Sequence, residues 1–327
     1  MVRAKISFAV FKVTHFDKKL NQLKIDFTHK GVQWATLILL ALVWGSSFIL
    51  MKLGLKYFSA NEVAAYRMSA AMIVLLPIAL RNLGQLRKYP VALLASGLFG
   101  NAIPAFLFAT AQTEIPSALS GILNSLTSLF TLLIGILFFR FPVLKAQIAG
   151  VIIAFIGAMG LIGFEEISSF GTYGRYASLV IIASACYGTG VNVIKRYLHD
   201  VRPTHITALS FMLVSPWLTI YLFSKTNFVE TLTEQPEAWW GVFYLTILAA
   251  IGTAFAVILF NRLIKETTAV FASSVTYMIP IVALGWGILD GEEMGLQEVS
   301  FMVLILLGIF LINSKKTDRL LERILGR

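Results

Sequence analysis

The 327-residue sequence holds one cysteine, Cys186, set in an apolar run. It therefore carries no disulfide framework and no cysteine-based metal site. Charge is scarce: Asp, Glu, Lys and Arg supply 13% of the chain, roughly half the share of an ordinary soluble domain. Hydrophobic residues supply 57%, and the mean hydropathy is +0.80. A soluble globule of this length needs more polar cover than that. The composition excludes an ordinary cytosolic enzyme, a nucleic-acid binder and a disordered scaffold. The formal net charge of +10 does not argue for nucleic acid, because the basic residues are spread over short polar segments instead of one face. The four histidines, His15, His29, His199 and His205, have no companion set for zinc. No phosphate-binding glycine loop is present, and no cofactor is expected.

What is abundant is long apolar runs. A helix crosses a bilayer with about 20 apolar residues. Ten runs meet that length, at 34–55, 60–80, 90–111, 116–138, 144–163, 173–194, 204–224, 238–260, 267–289 and 296–313. They are too long for outer-membrane strands, which alternate over about 10 residues. The expectation is an all-α membrane protein with ten transmembrane helices, a lipid bilayer as its solvent and no room for a soluble catalytic domain.

Lys and Arg set the expected orientation. The segment 1–33 and the segments between alternate runs, with the tail 314–327, hold 22 of the 27 basic residues. Glu62, Glu165, Glu166, Glu230, Glu234, Glu237, Asp290, Glu292 and Glu293 collect on the opposite side. Both termini are thus expected in the cytoplasm of a bacterial cell, with the chain in its inner membrane. Residues 1–33 lack an apolar stretch ending in a small-residue cleavage site, so a basic cytoplasmic arm is expected, not a signal peptide.

The runs repeat. Trp44-Gly45-Ser46 with Lys52 returns 143 residues later as Tyr187-Gly188-Thr189 with Lys195. At an offset of 152, Gly100-Asn101 matches Gly252-Thr253, Leu107-Phe108 matches Leu259-Phe260, Glu114 matches Glu266 and Gly135 matches Gly287. Five runs per copy invert the second copy in the membrane. Inverted repeats are an architecture of secondary transporters, whose substrate sits near the midplane between halves.

Ala41-Leu42-Val43-Trp44-Gly45-Ser46-Ser47-Phe48, then Lys52, then Arg67, resembles the opening of an EamA-type repeat of the drug/metabolite transporter superfamily. Pro280 followed by Gly291-Glu292-Glu293 resembles the family's proline helix and Gly-Glu turn. The resemblance covers 34–313 and implies two inverted five-helix repeats, 34–163 and 173–313, around a central cavity. It also implies export or exchange of small organic metabolites such as amino acids. The copies depart from each other: Ser128 stands at the proline position of the first, Arg140 at its acidic position, and Ser210 where the first copy has Arg67.

Candidate site residues follow from polarity at mid-span. Ser117, Ser120, Asn124, Thr127, Ser128 and Thr131 recur at helical spacing and share one face. Such a face either packs against a neighbouring helix or lines water. Ser273, Thr276, Tyr277 and Pro280 form the matching stripe, and Pro280 is the expected helix break. Trp44 and Tyr187 lie mid-span, away from the interfacial positions of Trp34, Trp239 and Trp240. The expected substrate-binding set is Trp44, Asn101, Asn124, Tyr187, Thr276 and Tyr277. Asn192 serves either substrate or a neighbouring helix. Arg67 and Lys52 are pathway or structural charges; for Arg67 a clamp through Glu62, Glu114 or backbone carbonyls is preferred to anion binding, and Lys52 suits an interfacial lysine. No Asp or Glu stands mid-span, so a carboxylate proton relay is not expected.

The sequence therefore points to a non-enzymatic secondary transporter for a small-molecule substrate. The rival is an intramembrane enzyme or lipid-handling protein, but no nucleophile–base pair, paired acids or metal cluster stands at one depth. No nucleic-acid partner is expected, and a homodimer is left open.

Overall fold

The computed structural model describes residues 26–115, 117–168, 170–289 and 296–312. These contain helices and connecting turns and no strand. The longer helices among the described residues are α1 (Lys30–Gly54), α2 (Ala60–Arg81), α3 (Pro90–Ala111), α4 (Ser117–Leu137), α5 (Lys145–Ser168), α6 (Phe170–Tyr197), α7 (Pro203–Lys225), α8 (Ala238–Glu266), α9 (Val275–Leu289) and α10 (Leu296–Ile312). Each apolar run of the sequence is occupied by one of them. Among the described residues six helices are long and apolar enough to cross a membrane: α1, α2, α3, the Gly174–Tyr197 part of α6, α7 and α8. Shorter apolar stretches lie at Leu123–Leu137, Lys145–Gly160, Ala269–Val282 and Val299–Ile312. Most of the basic arm, the Gly291-Glu292-Glu293 turn and the tail 314–327 fall outside the described residues.

Local chemistry sets the helix starts. Ser59 and Glu62 form a capping box at the start of α2, the Glu62 carboxylate accepting from the Ser59 N–H and hydroxyl, both at 2.8 Å. Pro90 and Pro203 open α3 and α7, where the missing N–H costs nothing. His29 caps α1, its Nδ1 accepting from Gly31 N–H at 3.2 Å. The run 267–289 holds two helices: a single turn, Ala269–Ser273, is separated from α9 at Ser274.

The helices pack in pairs that cross between the first and second halves of the chain. α5 lies along α10, α2 along α7, α4 along α6 and α1 along α9. α3 meets α6 and α7, while α8 meets α1 and α2. Exchanging α1 with α6, α2 with α7, and so on to α5 with α10, maps this set of contacts onto itself.

Small residues let the backbones approach. A Cβ on Gly190 of α6 would stand 2.8 Å from Gly100 Cα of α3. At the matching place a Cβ on Gly252 of α8 would stand 2.8 Å from Ser47 Oγ of α1. α5 and α10 meet through Gly150 and Gly308, each closed off by the other's backbone or by Ala154 at 2.6–2.7 Å. Without a hydrophobic drive between helices in lipid, this close van der Waals fit holds the bundle together.

Both α3 and α8 contain a wider π-helical turn, at Leu98–Ala102 and Leu248–Phe255. Such turns are rare and gather at functional sites. Here a side chain reaches back five residues in each: Asn101 Nδ2 donates to Ser96 O at 3.3 Å, and Thr253 Oγ1 to Leu248 O at 3.1 Å. Asn101 and Thr253 are the matched pair of the repeat.

Candidate substrate cavity

A cavity of about 110 Å³ lies where α1, α2, α3, α4, α6, α8 and α9 converge. Its walls are mainly apolar. Two aromatic pairs line it: Trp44 with Phe260 (ring centres 5.0 Å apart) and Tyr187 with Phe108 (6.0 Å). Trp44 matches Tyr187 and Phe260 matches Phe108, so the walls come from equivalent positions of the two copies. The Trp44 indole N–H donates to Gly252 O in the π-turn of α8 at 2.9 Å, which fixes the ring in the cavity wall.

The polar lining comes from Ser47, Asn101, Asn124, Thr127, Thr253, Asn261 and Thr276. Asn124 Oδ1 accepts from Thr127 Oγ1 at 3.3 Å, and its Nδ2 has no hydrogen-bond acceptor among the described residues. Asn261 Nδ2 donates to Thr207 Oγ1 at 2.9 Å, tying α8 to α7. Arg67 also lines the cavity, with Nε donating to Thr253 Oγ1 at 2.7 Å. An apolar pocket with a few placed polar groups is the ordinary build of a small-molecule site.

Five of the six expected binding residues, Trp44, Asn101, Asn124, Tyr187 and Thr276, meet at this cavity. Tyr277 does not. Its ring is fully buried and its hydroxyl donates to Val151 O of α5 at 3.3 Å, because α9 turns that side to α5. Pro280 does not break its helix: α9 runs through it, and the interruption falls at Ser274. The carbonyl that Pro280 leaves without a helix donor, Thr276 O, is met by Ser125 Oγ of α4 at 3.3 Å. The polar stripe of α4 divides. Asn124 and Thr127 line the cavity, whereas Ser120, Ser128 and Thr131 are buried outside its lining. Asn192 bridges helices, donating to Thr131 O (3.0 Å) and Gly188 O (2.8 Å). Lys52 is exposed and away from the cavity. The Glu62 clamp on Arg67 is not formed, because Glu62 is committed to the cap of α2. Thr253, Phe108, Phe260 and Asn261 line the cavity in addition to the expected residues, and the first three stand at repeat-matched positions of the sequence.

The sequence profile of the EamA-like transporter family matches residues 30–163 and again 174–314. The chain belongs to the EamA-like transporter family. Both matched ranges contribute residues to the lining of the cavity. An uncharacterized transporter of Archaeoglobus fulgidus is 26% identical over 289 residues, covering 87% of this chain and 99% of its own length. The inner membrane transporter YedA of Escherichia coli is 26% identical over 298 residues, 86% of this chain and 93% of its own. A probable amino-acid metabolite efflux pump of Salmonella typhimurium is 24% identical over 287 residues, 84% of this chain and 92% of its own. A solved crystal structure shares the fold with a TM-score of 0.65 at 16% identity, covering 90% of this chain and all of that one. The EamA-like chain is thus a membrane transport protein.

Proposed function

We propose that the chain is a secondary transporter that exports or exchanges small organic metabolites, amino acids among them, across the bacterial inner membrane. The ten helices α1–α10 cross the membrane as two inverted five-helix repeats, with both termini in the cytoplasm. Trp44, Asn101, Asn124, Tyr187 and Thr276 hold the substrate. The observation that carries this reading is the cavity itself, walled by matched residues of two halves whose contacts map onto each other. Two equivalent halves around one site have two equivalent ways to close, one toward each side of the membrane, which is what alternating access requires. The efflux-pump name of the Salmonella relative supports the amino-acid class.

The test is counterflow in proteoliposomes. Vesicles loaded with a panel of unlabelled amino acids, organic acids and amines are challenged with the matching labelled compound outside. Saturable exchange of some member of the panel, absent from protein-free vesicles, is the expected result. A folded protein that exchanges none of them refutes the reading.

A further inference from the structure

The cavity contains a cation, Arg67, with no counter-charge among the described residues. Arg67 stands seven residues inside α2, where a bare guanidinium is costly unless it is paired or hydrated. Its Nε–H is taken by Thr253 Oγ1. The four N–H bonds on its two Nη atoms have no hydrogen-bond partner among the described residues. The carboxylate closest in sequence, Glu62, is spent on the Ser59 cap. Among the described residues no Asp or Glu lines the cavity, and both ion pairs lie elsewhere, at His199–Asp200 and Arg262–Glu266.

We propose that Arg67 anchors a substrate carboxylate, and that the cavity takes monocarboxylates with an apolar body, net anions at least as tightly as zwitterions and both more tightly than cations. The proposal rests on the transport reading above and specifies its substrate class. With Nε engaged, the guanidinium presents its end-on fork, Nη1 and Nη2, which matches the two oxygens of a carboxylate. The fork is held in place. The Thr253 hydroxyl spends its one hydrogen on Leu248 O of the π-turn, so a lone pair is left to face Arg67 Nε. The apolar body meets the faces of Trp44, Tyr187, Phe108 and Phe260. An ammonium group entering the same space finds neutral acceptors and ring faces, and no carboxylate among the described lining residues. Arg67 is the specificity-determining residue, and Thr253 positions it.

Six probes on the purified full chain separate the charge classes: N-acetylphenylalanine and N-acetylleucine (anions), phenylalanine and leucine (zwitterions), phenylalaninamide and leucinamide (cations). Ligand-dependent thermal stabilisation and competition give apparent affinities. The N-acetyl compounds are expected to bind at least about tenfold more tightly than the amides. In Arg67→Gln that preference falls to within about twofold, Arg67→Lys keeps part of it, and Thr253→Val keeps more than Arg67→Gln does. The lysine and valine variants carry the test if Arg67→Gln fails to fold. Equal binding of amides and N-acetyl compounds, an unchanged preference in the variants, or no binding of any probe overturns the proposal. Counterflow of neutral and amine substrates but of no carboxylate by the wild-type chain overturns it while leaving the transport reading intact. No counterflow of any compound removes both.

Discussion

Tyr277 and Asn124 belong to matching polar stripes and play different parts. The Tyr277 hydroxyl is spent on Val151 O, whereas the Asn124 amide faces the cavity with donors to offer. Asn124→Ala is therefore expected to weaken substrate binding by about 1–3 kcal/mol, ~10- to 100-fold, with the yield of folded protein maintained. Tyr277→Phe is expected to leave substrate affinity within about twofold and to lower stability by about 1 kcal/mol, one net hydrogen bond. Affinity per folded molecule, measured for both variants beside the wild type, separates the roles. A fall in yield with unchanged affinity for Asn124→Ala makes its face a packing surface. The stripe pattern could not make this distinction, because a polar face at helical spacing serves a neighbouring helix as well as it serves water.

At the level of elements, the ends of the helices differ where the two copies should match. Lys195, near the end of α6, donates to three carbonyls at the end of α8: Ile264 O at 3.0 Å, Lys265 O at 3.1 Å, and Thr267 O. Ile264 O and Lys265 O lie in the last turn of α8, where carbonyls lack helix donors, and Thr267 O lies just beyond it. Lys265 adds a bond to Val201 O at 2.8 Å. Lys52, the match of Lys195 in the first copy, is exposed and makes no hydrogen bond among the described residues. The lysine tie at this end has no counterpart at Lys52 among the described residues. In the proposed orientation, read from Lys and Arg, the tied end is the cytoplasmic one. Replacing Lys195 with Met is expected to loosen it. A cysteine at Ile194, a cavity-lining position, in a chain with Cys186→Ala, should then react several-fold faster with an impermeant maleimide from the cytoplasmic side. An unchanged rate removes the latch. The α5–α10 pair is a different kind of contact, closed through Gly150 and Gly308. Gly308→Leu places a side chain where backbone atoms stand 2.6–2.7 Å from a Cβ, and a loss of about 1–3 kcal/mol in unfolding measurements is expected.

For the molecule as a whole, orientation and energy coupling are the quantities to test. Cysteines placed in 82–88, 196–202 and the tail should label only from the cytoplasm, and those in 164–172 and 225–237 only from outside. A reversed label at any of them breaks the ten-span topology. A pH gradient alone is not expected to drive several-fold accumulation, since no carboxylate lines the cavity among the described residues. Steep proton-driven uptake that disappears with Glu62→Gln or Glu114→Gln reveals a relay.

The ten apolar runs, the polar breaks between them and the match of Trp44 with Tyr187 could be read directly from the residues. The physical reason is that a chain in lipid must satisfy its backbone within each segment, so length and composition alone dictate a helix. The family resemblance rested on equally local signals. Which side of each helix faces inward is a different matter, because it depends on how neighbouring helices rotate to reach close packing. That rotation sends Tyr277 toward α5 and Thr276 into the cavity, although they are adjacent in sequence. It brings Thr253 to Arg67 across 186 residues, while the capping box at the start of α2 removes Glu62 as the expected partner. Pro280 is visible in the sequence, but the helix interruption at Ser274 and the Ser125 donor that answers Thr276 O are products of the fold. Composition and periodicity determined the helices and the environment they live in; only the tertiary contacts decided which polar groups were spent on the protein itself and which were left for a ligand.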